Sequence, residues 1–318
     1  MTATTGLIAD IGATNARFAL SNGEDITRET VLKCADYAGL TDAIRAYLAQ
    51  VQVDVPAAAI AIAGPVTGDY FSMTNHPWHF SVQEVRAALG LDRLSVMNDF
   101  KAIALSIPHL TSRHIRPVGP HIAPLPKAPM GVIGPGTGLG VASVIWGGQD
   151  YVSVPGEGGH VTMAARSQRE FDVFQILREK YRHVSAERVC SGKGLVNLYE
   201  ALRILEQRPD LPDRMPEDIS AAAISRTCPV CVEALDMMLD FLGNIAGNLA
   251  LTIGAFGGIY LAGGICTQLG EFFFNSRFRE SFESKGRFDD YLKKVPTFLI
   301  LHPFPAFVGL QAELLRSS

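Results

Sequence analysis

The sequence predicts an α/β protein of two domains, and three observations carry that reading. The chain has 318 residues and 47% hydrophobic content, enough for two cores. Short apolar runs come first, and amphipathic stretches then alternate with them. Each half also contains a glycine-bearing strand–turn–strand. The first is Asp10-Ile-Gly-Ala-Thr-Asn-Ala-Arg17 and the second is Gly131-Val-Ile-Gly-Pro-Gly-Thr-Gly-Leu-Gly140. Two such turns are what a nucleotide clamped between two similar domains requires, because N–H groups at a tight turn hold phosphate oxygens.

In chain order, strands are expected over 5–11, 16–21 and 29–34, and a helix over 40–51. The nearly continuous apolar run 57–63 suits a buried strand that stops at Gly64-Pro65. Ser81 is the N-cap of a helix over 82–89, with Glu84 three residues on completing a capping box. A short buried strand over 94–97 ends on Asn98-Asp99, and a helix then runs to Pro108. The proline-rich stretch 117–129 reads as a connector. Strands follow at 130–134 and 139–146, then helices at 168–181, 193–204, 218–225, 230–253 and 267–283. Gly258 to Leu261 is strand-like, and a strand at 297–301 precedes a last helix at 306–315.

The formal net charge is −4, from 28 basic and 32 acidic residues, which argues against a nucleic-acid binder. Five cysteines, an odd and sparse set, fit a reducing compartment. Cys228-Pro-Val-Cys231 has the spacing of a redox or zinc pair, but no second pair accompanies it. It is expected to be two thiols at the start of a helix. The longest apolar segment, 234–253, carries Asp236, Asp240, Asn244 and Asn248 four residues apart, one polar stripe on a helix. Gly243 and Gly247 lie on another face, where a neighbour can pack closely. No signal-peptide pattern precedes Asp10. The expectation is a soluble cytoplasmic protein with neither a nucleic-acid nor a membrane partner.

Asp10, at the end of the first strand, is placed to orient a hydrated Mg²⁺ beside phosphate oxygens, with Thr14 and Asn15 as further polar contacts. The run is not a Walker A loop, because no Gly-Lys-Ser/Thr follows. Leu261-Ala-Gly-Gly-Ile265 follows a strand, and its glycine pair lets backbone approach a flat ligand such as adenine. Asn98-Asp99 lies between an apolar strand and an apolar helix. A carboxylate there is a candidate general base for a hydroxyl nucleophile, and an amide beside it binds vicinal hydroxyls. In Pro155-Gly-Glu-Gly-Gly-His160 the glycines let the chain bend while Glu157 and His160 project. Trp78 is expected to pack in the core, and His76 has no assigned role.

Eight segments together carry a family resemblance: Asp10 to Arg17, Thr74-Asn-His-Pro-Trp78, Asn98-Asp-Phe100, Gly134 to Gly140, Pro155 to His160, Ser185-Ala-Glu-Arg188, Gly192 to Tyr199 and Ala262-Gly-Gly264. In that order, and over nearly the whole chain, the sequence resembles bacterial glucokinases of the hexokinase type, within the actin-like ATPase superfamily. Ala13 departs from the pattern, where many relatives have a second glycine.

The resemblance implies a two-domain actin-like, ribonuclease H-like fold with nucleotide and sugar in the interdomain cleft. The small domain would be 1–109 plus 302–318, with the last helix packed back on it, and the large domain 110–301. It implies ATP with Mg²⁺, D-glucose phosphorylated at its 6-hydroxyl, Asp99 as general base, and a homodimer. Asn98, Asp99, Glu157, His160 and Glu187 would ring the sugar. Ala9, Asp10, Ile11, Gly12, Ala13, Thr14, Asn15, Gly136, Thr137, Gly138, Gly263 and Gly264 would contact the nucleotide, Asp10 holding the metal through water. The rivals are a kinase for another sugar, a sugar-sensing regulator and an actin-like chaperone or filament ATPase. The regulator would favour an added helix-turn-helix, and the ATPase would lack the Asn-Asp and Glu-Gly-Gly-His set.

Overall fold

The computed structural model describes residues 5–64, 68–73 and 76–316. They form two compact units, one of residues up to 111 with 151–155 and 302 onward, the other of 112–150 and 156–301. Each has its own buried apolar cluster.

The first unit opens on β1 (Gly6–Ile11), β2 (Asn15–Ser21) and β3 (Ile26–Lys33), followed by α1 (Leu40–Val51) and β4 (Ala57–Ile62). A small hairpin, β5 (Tyr70–Ser72) and β6 (His79–Ser81), leads into α2 (Val82–Leu89), β7 (Arg93–Asn98) and α3 (Asp99–Ser106). The sheet order is β3-β2-β1-β4-β7, with β1, β4 and β7 parallel. Period-2 alternation sends Leu7, Ala9 and Ile11 of β1 into one core cluster, where Phe18 stacks on Tyr47 with ring centroids 5.2 Å apart. Burying a side chain of this size stabilises by about 1.5–3 kcal/mol. Ser81 caps α2 as expected, its Oγ accepting from Glu84 N at 3.2 Å.

The second unit has β8 (Ile115–Pro117), β9 (Met130–Pro135) and β10 (Leu139–Trp146), while β11 (Tyr151–Gly156) crosses from the first unit into the second. Then come α4 (Gln168–Lys180), α5 (Gly192–Leu205), α6 (Pro216–Ile224), α7 (Pro229–Ile253) and β12 (Gly258–Leu261). Short helices α8 (Gly264–Gln268), α9 (Glu271–Phe274), α10 (Phe278–Glu283) and α11 (Asp289–Leu292) precede β13 (Thr297–Ile300). The strands run in the order β10-β9-β12-β13-β8, with β9, β12 and β13 parallel. Each unit thus joins an antiparallel hairpin to two parallel strands. The last helix, α12 (Pro305–Arg316), returns to the first unit and packs on α3, β1 and β4. Its Gly309 admits the carbonyl of Ala102, which a side chain there would displace.

The expected helix over 267–283 is instead three short ones. Gly270, at φ +54°, starts α9 in a conformation that breaks the helix before it. The strand expected at 29–34 begins at Ile26, and β5, β6, β8 and β11 were not anticipated. Three of those four are only three residues long, too short for a periodicity to show.

Along α7 the two expectations for the apolar segment meet. Gly243 and Gly247 leave room for the carbonyls of Phe278 and Phe282, so α10 lies close against the helix. The polar stripe finds partners: Asp240 bonds Ser281 and, at 3.0 Å, Arg166, while Lys285 bridges Asn244 and Asn248. Burial pulls the Lys285 ammonium down to about 8. Among the described residues no helix is long and apolar enough to cross a membrane. All five cysteines are buried and free, and Cys228 and Cys231 open α7 as thiols, burial pushing Cys231 up to about 12.

Candidate active site

Parallel pairing brings the carboxyl ends of β1, β4 and β7 to one edge, since Ile11 pairs with Ile62 and Ile62 with Asn98. That edge of an open sheet is where ligands bind in α/β proteins. It holds Asp10, the Gly12–Asn15 turn, Asn98 and Asp99. Asp10 stands opposite Arg17 in the register, and their charged groups lie 3.5 Å apart. Burial raises the Asp10 pKa, and Arg17 opposes the rise. Asp99 begins α3, and its Oδ1 accepts from Phe100 N at 2.9 Å. Burial pushes its carboxyl up to about 6 against that hydrogen bond, and the Asp10 charge adds to the rise.

Asn98 has a fold-building part. Its Oδ1 caps α3 by accepting from Lys101 N at 3.2 Å, and its Nδ2 donates to Gly64 O at 3.1 Å. Its remaining amide N–H is directed to the Asp99 carboxyl, where it opposes the rise that burial causes. Thr14 is exposed at the turn tip, with Gly12, Ala13 and Asn15 half-buried. Gly12 N donates to Asn15 O at 3.0 Å. Ala13 is absent from the residues with positive φ, so the turn needs no glycine there. Ala9 and Ile11 point into the sheet's interior, and only their backbone is available to a ligand.

One contact was not anticipated. Cys34 N donates to Thr14 O at 2.9 Å and its Sγ to Gly12 O at 3.4 Å. A lone cysteine just past a strand gives no sequence signal of that task. Trp78 is buried as expected, with Nε1 donating to Tyr37 O at 3.2 Å. His76 meets the Trp78 ring edge-on, and its buried Nδ1 has no partner among the described residues. Thr74 and Asn75, named in the sequence resemblance, lie outside the described residues.

In the second unit the Gly136–Gly138 turn closes with Gly136 N donating to Gly138 O at 2.8 Å. Gly263 lies beside it: φ is +88° and its missing side chain leaves room for Pro135 O. Two of the three glycine motifs therefore meet at the carboxyl ends of the adjacent strands β9 and β12. Gly12 and Gly136 differ from Gly263. Neither has positive φ, and a side chain at Gly136 would meet nothing within 4 Å. At Gly12 it would meet only Asn15 O, at 3.4 Å. The fold does not demand glycine at these two tips, whereas close approach of a ligand to backbone N–H groups does.

The expected sugar loop packs two of its three glycines inward. Gly158 sits on Val141 and Gly159 on the Leu139 carbonyl, which leaves Glu157 and His160 exposed. Glu187 stands in a turn over 186–188, tied to the same loop by Ala186 N donating to Val161 O at 2.9 Å. It makes no pair with Arg188, whose guanidinium lies 4.0 Å over the Tyr181 ring. Its Oε2 accepts instead from Leu139 N at 3.0 Å.

No group of three or more His, Cys, Asp or Glu among the described residues forms a ready metal cage. A cavity of about 750 Å³ in the second unit, lined by Arg166, Arg169, Glu170, Glu233, Asp236 and Asp240 among others, shares no residue with the expected site. Most of its charges satisfy one another, as with Arg166 and Glu170 at 3.2 Å and Arg169 and Glu233 at 2.7 Å. That cavity reads as a structural ion-pair network.

Fold and carboxyl-edge residues together define a two-unit α/β protein whose candidate ligand site lies at the strand ends. The comparisons narrow this further. The glucokinase family profile matches residues 7–317. A glucokinase of Aromatoleum aromaticum is 47% identical over 312 residues, covering 97% of this chain and 94% of that protein. One of Erwinia tasmaniensis is 45% identical over 311 residues, covering 97% and 96%. The crystal structure of a glucokinase from an Antarctic psychrotroph superposes with a TM-score of 0.90 at 35% identity, covering 99% of both chains. The chain belongs to the glucokinase family.

Proposed function

We propose that this chain transfers the γ-phosphoryl group of ATP to the 6-hydroxyl of D-glucose. Asp99 carries the reading. It is a carboxylate at a sheet's carboxyl edge, pushed up to about 6 by burial and the Asp10 charge, so it is largely ionised yet basic near neutral pH. It accepts the hydroxyl proton as the oxygen attacks phosphorus and ADP leaves. Asn98, Glu157, His160 and Glu187 bind the remaining hydroxyls. An analogue lacking one of these leaves a polar group unpaired, which is how such a ring discriminates.

The Gly12–Asn15 and Gly136–Gly138 turns hold the phosphates through backbone N–H groups, and Gly263 with Gly264 meets the adenosine end. Asp10 fits the Mg²⁺ that accompanies ATP. Its carboxylate would hold the hydrated ion beside the phosphates, and the bound ion would supply charge neutralisation for the transferring group. The cleft between the domains, the domain bounds at 109 and 302, the ribonuclease H-like fold, the homodimer and the cytoplasmic setting belong to the same proposal and rest on family membership.

The test is ADP release from Mg-ATP by the purified chain with glucose, mannose, fructose or N-acetylglucosamine. Glucose is expected to give the highest kcat/KM. Release with another sugar but not glucose would reassign the substrate, and none with any sugar, from folded protein, would overturn the kinase reading.

A further inference from the structure

We propose that Glu187 is a positioning residue for the Gly136–Gly138 turn, so that one carboxylate couples sugar recognition to nucleotide binding. This rests on the proposed reading, in which Glu187 meets the sugar and the turn meets phosphate.

Three observations carry it. The first is the hydrogen bond from Leu139 N to Glu187 Oε2, at 3.0 Å, at the residue where the turn enters β10. A carboxylate is a stronger acceptor than a neutral carbonyl, so this bond outweighs an ordinary turn contact. The second is Gly138. Its backbone has no positive φ, but a side chain there would occupy the place of Glu187 Oε2. Glycine at 138 is therefore a consequence of the carboxylate, unlike glycine at 136, where space is open.

The third is the anchorage of Glu187 from behind. Ser191 Oγ donates to its carbonyl at 2.8 Å and accepts from Gly194 N at 2.9 Å. Gly192 N, at the start of α5, donates to Gly136 O at 2.9 Å. Turn, carboxylate and helix start thus form one hydrogen-bonded unit.

Oε1 makes no hydrogen bond among the described residues and is the oxygen left for a sugar hydroxyl. A hydroxyl on Oε1 restricts the rotation of the carboxylate and with it the Leu139 contact. The turn is then better ordered before nucleotide arrives. Coupling of this kind is reciprocal, so nucleotide tightens sugar binding by the same factor.

The experiment measures binding of a non-hydrolysable ATP analogue with Mg²⁺ by calorimetry, with and without glucose. The wild type is expected to bind the analogue at least about fivefold more tightly when glucose is present. Glu187→Ala is expected to lose about tenfold in affinity for the analogue without sugar, and to lose the glucose effect. Glu187→Gln keeps an acceptor for Leu139 N, so its sugar-free affinity stays within about twofold of wild type while glucose binding falls.

Glu187→Ala that weakens glucose alone, with the sugar-free analogue affinity unchanged, would overturn the proposal and leave the kinase reading intact. If Glu187→Ala does not fold, Gly138→Ala serves, since its methyl displaces the carboxylate without removing it. Unchanged analogue affinity there would likewise overturn the proposal, as would a loss matched by Gly136→Ala with the glucose effect intact. Loss of the glucose effect in Gly138→Ala but not in Gly136→Ala would support it. Wild type that binds no nucleotide would overturn the kinase reading itself.

Discussion

The two turns proposed to face phosphate are braced by opposite chemistry. In the first unit the turn is closed by Gly12 N and Asn15 O and braced by Cys34, a neutral residue with no exposed surface, which donates to two turn carbonyls. In the second unit the turn is closed by Gly136 N and Gly138 O and braced by Glu187, a half-buried carboxylate that accepts from a turn N–H. A brace that donates to carbonyls leaves the turn's own N–H groups for the ligand. A carboxylate brace uses one N–H but is itself within reach of a second ligand. On the proposed reading the first turn is therefore fixed whatever is bound, and the second answers to the sugar. The first unit also carries Asp99, the proposed base, so chemistry is expected to concentrate there and coupling in the second unit.

Asp99→Asn tests that division with the largest effect. Loss of the base is expected to cut kcat about a thousandfold while the affinity for the ATP analogue stays unchanged. In the wild type, activity should rise with pH as Asp99 loses its proton, half-maximal near pH 6. The asparagine variant should lack that acid limb in its pH–rate profile.

Stability moves the other way. The folded pKa of about 6 exceeds the ordinary 3.8, so folded protein holds this proton more tightly and loses stability as pH rises through that window. At pH 7 the charged Asp99 is a cost on the order of 1–3 kcal/mol, which asparagine removes. Thermal melting should therefore show the inactive variant more stable at pH 7, with the gap closing below about pH 4. An equal or lower melting temperature at pH 7 would deny that Asp99 is held at such cost.

Gly12→Ala and Gly136→Ala come next. Both positions have ordinary φ and open space, so melting should shift by less than about 0.5 kcal/mol of stability. The KM for ATP should rise about tenfold for each, because the methyl stands where a phosphate oxygen approaches backbone. Gly263→Ala is the contrast. Its φ of +88° and the Pro135 carbonyl make it a folding position, and about 1–3 kcal/mol of stability should be lost. Unchanged ATP kinetics for Gly12→Ala in a stable protein would remove the first turn from the nucleotide site.

What the sequence disclosed follows the reach of its signals. The helices over 40–51 and 82–89 and the strand over 139–146 appear at the expected residues, because each joins a clear period to a clear boundary. The glycine turns were legible because their residue types are rare in combination. The three-residue strands β5, β6 and β8 were not legible, nor was the break at Gly270. Function was legible as a set of loops, but their mutual dependence was not. That Glu187 holds Leu139, or that Asn98 spends its amide on capping α3 and on Gly64 O, depends on contacts 48 and 34 residues apart or on local geometry that no period encodes. Cys34 is the clearest case, since its role exists only through folding 22 residues back onto Gly12.

Cys34 also offers the smallest and most discriminating change. A thiol is a weak donor, and the Sγ contact to Gly12 O is long at 3.4 Å. The backbone bond from Cys34 N to Thr14 O does not depend on the thiol and persists in Cys34→Ala and Cys34→Ser. Cys34→Ala should therefore raise the KM for ATP only about two- to threefold, with glucose KM unchanged. Cys34→Ser keeps a donor and should return ATP KM toward wild type, although its shorter side chain reaches less far. Neither variant should alter the effect of glucose on nucleotide binding, because this brace touches no sugar contact. If Cys34→Ala weakened that effect as much as Glu187→Ala, the two turns would be one coupled device, and the contrast between a fixed brace and a responsive one would fail.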